Sequence, residues 1–291
     1  SYLLSGYFWP KATLNRAEVV HAHYVMPDGW ISMQLAHQWG CKFAVTVRQG
    51  DVFKMSQLHD FAPVKMMYRK VLSRADFVFS PSMSVIKVLR AEGVEAHFLP
   101  HGVSDVSRVS VEQRDDSRIR ILVVASLLPN KRIDWVIRAV QQYCGKKDLE
   151  LVVVGDGECM AELRVMAERC DFPVRFLGHV TRDVVFHEME EADIMALPSA
   201  RETFGLVYIE AALRNCAVVA TRGTGVDGCF VADAEMVFTD NDFGGFCTSL
   251  WGLIDNDVFR REVAEQGRFR TRKDYLWGAV VDRYLELVSS S

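Results

Sequence analysis

The chain has 291 residues, a net charge of −4, and 49% hydrophobic against 25% charged residues. That length suits two ordinary domains, and the composition is that of a globular chain with a substantial core. The acidic balance argues against nucleic acid as a partner, which asks for a strongly basic face. Seven cysteines, an odd count with no C-x-x-C pair, argue against a disulfide framework or a zinc site and suit a reducing cytoplasm.

Short apolar runs alternate with helical patterns along the chain. The patterning predicts strands over 18–22, 43–47, 76–79, 96–99, 119–125, 149–154, 174–177, 194–197, 217–220 and 235–238. These runs are rich in Val, Ile and Phe and lack polar alternation, as strands covered on both faces of a parallel sheet do. Helical stretches such as 134–143 and 159–170 lie between them, and this βαβα rhythm implies an α/β fold. The rhythm breaks at the polar stretch 104–118. The expected organisation is a first domain over 1–105, a linker over 106–118, a second domain over 119–274, and a terminal amphipathic helix with a short tail over 275–291. No run approaches the roughly 18 apolar residues of a membrane span, and no signal-peptide pattern is visible.

Charge is uneven. Residues 1–105 carry 11 Lys and Arg against 8 Asp and Glu, and the rest carries 23 against 30. This fits either an ordinary mixed surface or a mildly basic first domain facing an anionic acceptor or a lipid headgroup layer. Segment 54–74 places Lys54, Lys65, Arg69, Lys70 and Arg74 among Met66, Met67, Tyr68 and Leu72. It reads as a surface helix packed on the sheet, or as a stretch lying on a membrane surface.

The most informative segment is IMALPSARETFGLVYIEAA, residues 194–212. It reads as a buried strand, a loop over 198–203, and a helix starting near Phe204 and Gly205. A helix that begins beside the carboxyl end of a parallel strand points free N–H groups into the crevice where such sheets bind ligands. Those groups and the helix dipole suit a phosphate or a polar sugar. Glu210 falls among apolar neighbours, and a buried carboxylate is costly without donors. A ribose diol could supply two; an Arg or Lys partner would serve as well. Glu202, in the loop, could reach a sugar hydroxyl or simply cap the helix.

The stretch PSARETFGLVYIEA resembles the E-x7-E signature of glycosyltransferase family 4, retaining enzymes of the GT-B fold. The resemblance implies that Glu202 contacts the donor sugar and Glu210 the nucleotide ribose, while the backbone of Phe204, Gly205 and Leu206 holds sugar hydroxyls and phosphate. Further segments resemble the family's landmarks in the same order: ASLLPNKRIDWVI (125–137), LVVVGDGE (151–158), VRFLGHV (174–180) and TRGTGVDG (221–228). On the resemblance, Lys131 contacts the donor diphosphate, Gly155 lies in the donor site, and the backbone at His179 and Val180 meets the base. A fixed cation there stabilises the charge of the departing diphosphate. Ser126 stands where the family usually has an arginine, so one phosphate-binding cation is missing; Arg132 and Arg201 are candidates to replace it.

In the first domain VVHAHYVMPDG (19–29) resembles a strand ending in H-x-H, and TVRQGD (46–51) resembles T-x-H-G-x-D. This places His21, His23, Arg48 and Asp51 on the acceptor side. Arg48 occupies the histidine position, and an arginine there could hold a phosphate or an anionic acceptor. In the family a first strand and a glycine-rich loop precede the H-x-H strand. Here only residues 1–17 precede it, and Phe8, Trp9 and Pro10 cannot form such a loop.

The resemblance therefore implies two Rossmann-like, doubly wound parallel-sheet domains facing a cleft, the first incomplete, with the terminal helix and its Trp277 packing back toward the first. The implied reaction moves a sugar from a nucleotide-sugar to an acceptor hydroxyl, saccharide or lipid-linked, with retention, in polysaccharide or glycolipid synthesis. Lys131, Glu202 and Arg48 are the implied catalytic residues. No metal or further cofactor is expected, and the location expected is cytoplasmic, or peripheral at the inner face of the membrane through 54–74. Two other readings stay open: an inactive sugar-nucleotide-binding protein or fragment, and a nucleotide-sugar epimerase of the same fold.

Overall fold

The computed structural model describes residues 17–57, 62–105 and 118–289. The expected linker, apart from Arg118, the front residues Phe8, Trp9 and Pro10, and the last two serines lie outside the described residues. The chain divides into two compact units, Ser1–Pro100 with Asp282–Ser291, and His101–Val281.

In the first unit the strands are β1 (Val19–Ala22), β2 (Lys42–Thr46), β3 (Phe77–Ser80) and β4 (His97–Phe98). They form one parallel sheet in the order β1-β2-β3-β4. The crossovers are α1 (Trp30–Trp39), α2 (Gln49–Gln57), α3 (Ala62–Arg74) and α4 (Met83–Ala91). Because successive side chains on a strand face opposite ways, Phe43, Val45 and Val47 join a core with Tyr68, Val71 and Leu89. Ala44, Phe77 and Phe79 point to the other side, where Val288, Tyr284 and Leu287 cover them. Both faces are dry, which is why these strands show no polar alternation.

The second unit contains β5 (Ile119–Val124), β6 (Leu149–Val154), β7 (Val174–Gly178), β8 (Ile194–Leu197), β9 (Ala217–Thr221) and β10 (Val237–Thr239). Its helices are α5 (Ile133–Gln141), α6 (Met160–Ala167), α7 (Arg182–Glu191), α8 (Leu206–Leu213), α9 (Phe243–Asp255) and α10 (Asp257–Asp274). The sheet is parallel in the order β10-β9-β8-β5-β6-β7. The direction of winding reverses between β5 and β8, and in open α/β sheets the carboxyl ends of the strands at such a reversal are where ligands bind.

The second unit begins at His101, before the linker expected at 106–118. Val103 is the reason: its N–H donates to the Tyr275 carbonyl at 2.8 Å, and its carbonyl accepts from Trp277 at 3.2 Å. The last helix, α11 (Trp277–Ser289), is divided between the units at Val281. Trp277 thus belongs to the second unit and packs on Gly102, where a Cβ would come within 2.6 Å of its ring. Tyr284, Leu287 and Val288 are the residues that join the core of the first unit.

Candidate active site

Two strand ends build the site in the second unit. β5 runs into residues 125–132, which end in a short turn, Pro129–Lys131. β8 runs into residues 198–205, and the two loops are tied by the Ala200 N–H to the Asn130 carbonyl at 2.8 Å. Helix α8 begins at Leu206, slightly later than the sequence suggests, because Gly205 has φ +79° and closes the loop in a left-handed conformation. Tyr208, Ile209, Ala211, Ala212 and Leu213 are buried. The Tyr208 hydroxyl donates to the Leu197 carbonyl at 3.0 Å, fixing the helix to the end of β8; burial, and then the negative charge of Glu202, push its pKa up.

Lys131 and Glu202 meet, Nζ to Oε2 at 2.5 Å, with only 16% and 17% of their side chains exposed. Glu202 lies between Gly205 and Gly225, where a Cβ would come within 2.9 and 3.2 Å of its side chain, and the Gly225 N–H donates to its carbonyl at 3.0 Å. In the glycine-rich stretch 221–228, Gly225 is thus the glycine that leaves room for Glu202. Phe204 anchors the loop from below. It is buried, edge-on to His101 and against Tyr275, which stacks on Phe230.

Glu210 accepts from Arg182 Nη2 at 2.6 Å, and its side chain is 14% exposed. Its backbone carbonyl accepts from Arg214 at 2.9 Å. The Arg or Lys partner left open by the sequence is thus present, and it is Arg182. Both glutamates are held by cations, and the first N–H groups of α8 have no acceptors within the helix. A site of this kind can exchange a side-chain cation for the hydroxyls or phosphates of a ligand.

The remaining second-unit candidates divide. Ser126 is exposed at the carboxyl end of β5, and Val180 and His179, half-buried and exposed, follow β7. Gly155 offers a close approach rather than a free donor. Its N–H bonds the Gly178 carbonyl at 2.9 Å, and with φ +130° it packs so tightly on the Ala125 carbonyl that a Cβ would overlap it. Arg132, a candidate to replace the arginine missing at Ser126, bonds Asn241 through its guanidinium, which lies over the Trp135 ring at 4.2 Å.

In the first unit the candidates differ in burial: Asp51 turns inward, His21 and Arg48 are half-buried, and His23 is exposed. Asp51 is buried, and its two oxygens accept from the Val25 N–H at 3.3 Å and the Arg48 N–H at 3.0 Å. It is a capping carboxylate that reaches back from the third residue of α2; burial raises its pKa against those bonds. Each of its oxygens thus accepts one main-chain N–H. His21 bonds the Thr46 hydroxyl at 2.8 Å and stacks on His23 and on Tyr284. Burial, and then the nearby His23, lower its pKa to about 4. Arg48 lies over the Tyr24 ring at 4.9 Å, and its Nε is buried without a hydrogen-bond partner among the described residues. Two hollows of about 510 and 310 Å³ open at the amino ends of the first sheet, and none of the candidate residues lines either.

The sequence reading missed Arg182 and the part Gly225 plays beside Glu202. Arg182 had a visible signal: a cation in the first turn of a helix opposes the helix dipole, so its position asks for another reason.

The family described as "Glycosyl transferases group 1" matches residues 118–256. The chain is 26% identical over 172 residues, covering 56% of it and 45% of the relative, to a GDP-mannose-dependent monoacylated alpha-(1-6)-phosphatidylinositol monomannoside mannosyltransferase of Corynebacterium glutamicum. It is 30% identical over 214 residues, covering 72% of it and 46% of the relative, to a phosphatidylinositol N-acetylglucosaminyltransferase subunit of Saccharomyces cerevisiae. The chain thus spans less than half the length of these two relatives. Among solved structures, Anabaena HepE in complex with UDP superimposes with a TM-score of 0.77 at 16% identity, over 94% of this chain and 79% of that one. The fold is GT-B.

Proposed function

We propose that this chain, whose second unit belongs to the group 1 glycosyl transferases and resembles glycosyltransferase family 4, moves a sugar from a nucleotide-sugar donor to an acceptor hydroxyl in glycolipid or polysaccharide synthesis, with retention at the anomeric carbon. One observation carries the reading. Glu202 and Glu210 flank the start of α8 at the reversal of the second sheet, each poised against a displaceable cation.

In this scheme the ribose diol donates to Glu210 and the backbone at His179 and Val180 meets the base. The diphosphate takes Lys131 and the N–H groups at the start of α8, releasing Glu202 to accept from hydroxyls of the donor sugar. Lys131 then stabilises the departing diphosphate. That diphosphate accepts the acceptor's proton, so the protein's task is to position both substrates. Arg48, with its unsatisfied Nε, is assigned to an anionic acceptor or phosphate.

The two relatives' names concern phosphatidylinositol compounds, which supports a lipid acceptor here. The stretch 54–74 supports peripheral membrane contact, with Phe53 and Met66 exposed beside Lys54, Arg69 and Lys70; residues 58–61 of it lie outside the described residues. Among the described residues no helix is long and apolar enough to cross a membrane.

Calorimetry against UDP-, GDP- and ADP-sugars tests the proposal. One donor class should bind, and Glu210→Ala should weaken it by roughly tenfold or more, as loss of a charged hydrogen-bond acceptor does. If no donor binds, the reading is wrong. Ser126, with Arg132 engaged elsewhere, favours a second reading, a donor-binding protein without turnover. Binding with no product from any acceptor would select it.

A further inference from the structure

We infer that Arg182 is a built-in competitor for the ribose subsite: a positioning residue that occupies Glu210 in the free protein and is displaced only by a vicinal diol. The inference rests on the reading of Glu210 as the ribose carboxylate.

The contact is specific. Arg182 is the first residue of α7, and its side chain is 67% exposed, yet its guanidinium reaches across to α8 to bond Glu210 Oε1 at 2.6 Å. The amino end of α7 disfavours a cation there, since that end of a helix prefers negative charge. The guanidinium also lies over the Phe186 ring, 4.9 Å from its centre and one turn along α7. The same ring receives the guanidinium of Arg214 at 3.5 Å, and Arg214 holds the Glu210 backbone carbonyl. The main chain of Glu210 is therefore pinned while its carboxylate is guarded by an arginine whose stem stands in solvent.

A carboxylate can accept two hydrogen bonds from a vicinal diol, one on each oxygen. With Oε1 engaged by Arg182, a single hydroxyl can still use Oε2, but a diol gains its second bond only by displacing the guanidinium. Arg182 thus subtracts the strength of its ion pair from the affinity of any nucleotide that uses both oxygens, and leaves untouched one that cannot. The pair is half in solvent, so its effect is modest, a factor of roughly three to ten.

The experiment is calorimetric titration of the full chain with UDP, GDP and ADP, and with the 2′,3′-dideoxy form of whichever binds. It compares wild type with Arg182→Ala, Arg182→Lys and Glu210→Ala. Arg182→Ala should tighten the ribonucleotide by roughly threefold to tenfold, leave the dideoxy nucleotide unchanged, and be reversed by Arg182→Lys. An Arg182→Ala protein that binds both nucleotides more weakly, or shifts both alike, overturns the inference. If Glu210→Ala weakens ribonucleotide binding while Arg182→Ala changes nothing, the competitor role falls and the reading of Glu210 stands. If no nucleoside diphosphate binds wild type, both fall together.

Discussion

At the end of β2 a polar loop leads into α2, and at the end of β8 another leads into α8. In the first, Asp51 turns inward and both of its oxygens are taken by main-chain N–H groups. In the second, Glu202 and Glu210 are taken by the side chains of Lys131 and Arg182, and one main-chain N–H, that of Thr203, also reaches Glu202 Oε1 at 3.3 Å. A main-chain donor cannot leave its carboxylate without breaking the loop, whereas a lysine or arginine head can swing into water. A carboxylate after a parallel strand is thus a clamp in one unit and, in the function proposed, an exchangeable group in the other. The sheets differ in parallel. The second reverses its winding at β5 and β8, and the four described strands of the first advance in one direction.

Substitutions can break this contrast. The largest effect is expected from Gly155→Val in the second unit. The added side chain would meet the Ala125 carbonyl at φ +130°, and overpacking with backbone strain costs about 4 kcal/mol. Urea unfolding should show that loss, together with loss of nucleotide binding. Asp51→Ala should destabilise the protein by about 2 kcal/mol, the cost of leaving two N–H groups without their acceptor, while calorimetry finds nucleotide affinity unchanged. A lost affinity would show that Asp51 is more than a clamp.

The next effect depends on pH. His21 has its pKa lowered to about 4 from 6.5, so between those values the unfolded chain binds the proton more readily than the folded one. The stability His21 contributes is complete above pH 6.5 and is lost as pH falls toward 4, by about 1–2 kcal/mol after discounting for its partial exposure. Urea unfolding across that range should show the loss in wild type and a flatter profile in His21→Gln. The smallest effect is expected from Gly225→Ala. Its Cβ would crowd Glu202 at 3.2 Å with φ +52°, costing about 1 kcal/mol. If Glu202 contacts the sugar, as proposed, it should weaken the nucleotide-sugar more than the bare nucleoside diphosphate.

Ten strands were legible as apolar runs because parallel strands covered on both faces carry no polar interruptions, and their ends fall within about two residues of expectation. The E-x7-E spacing located both glutamates, and the run of Val, Ile, Ala and Leu around Glu210 foretold the buried helix. What stayed hidden were partners distant in sequence. Nothing local pairs Arg182 with Glu210 or Lys131 with Glu202, since each contact depends on how neighbouring strand ends are set by the sheet. The inward turn of Asp51 was hidden for the same reason. Its role follows from Val25, 26 positions away, and not from its own segment.

Hydrogen exchange with and without a saturating nucleotide-sugar would test most directly whether the exchangeable glutamates, rather than the clamped aspartate, mark the donor site. Protection is predicted in peptides covering 125–132, 178–182 and 198–210, with 42–57 unchanged. Protection confined to the first unit, or absent from all three second-unit segments while the donor is bound, would contradict the account.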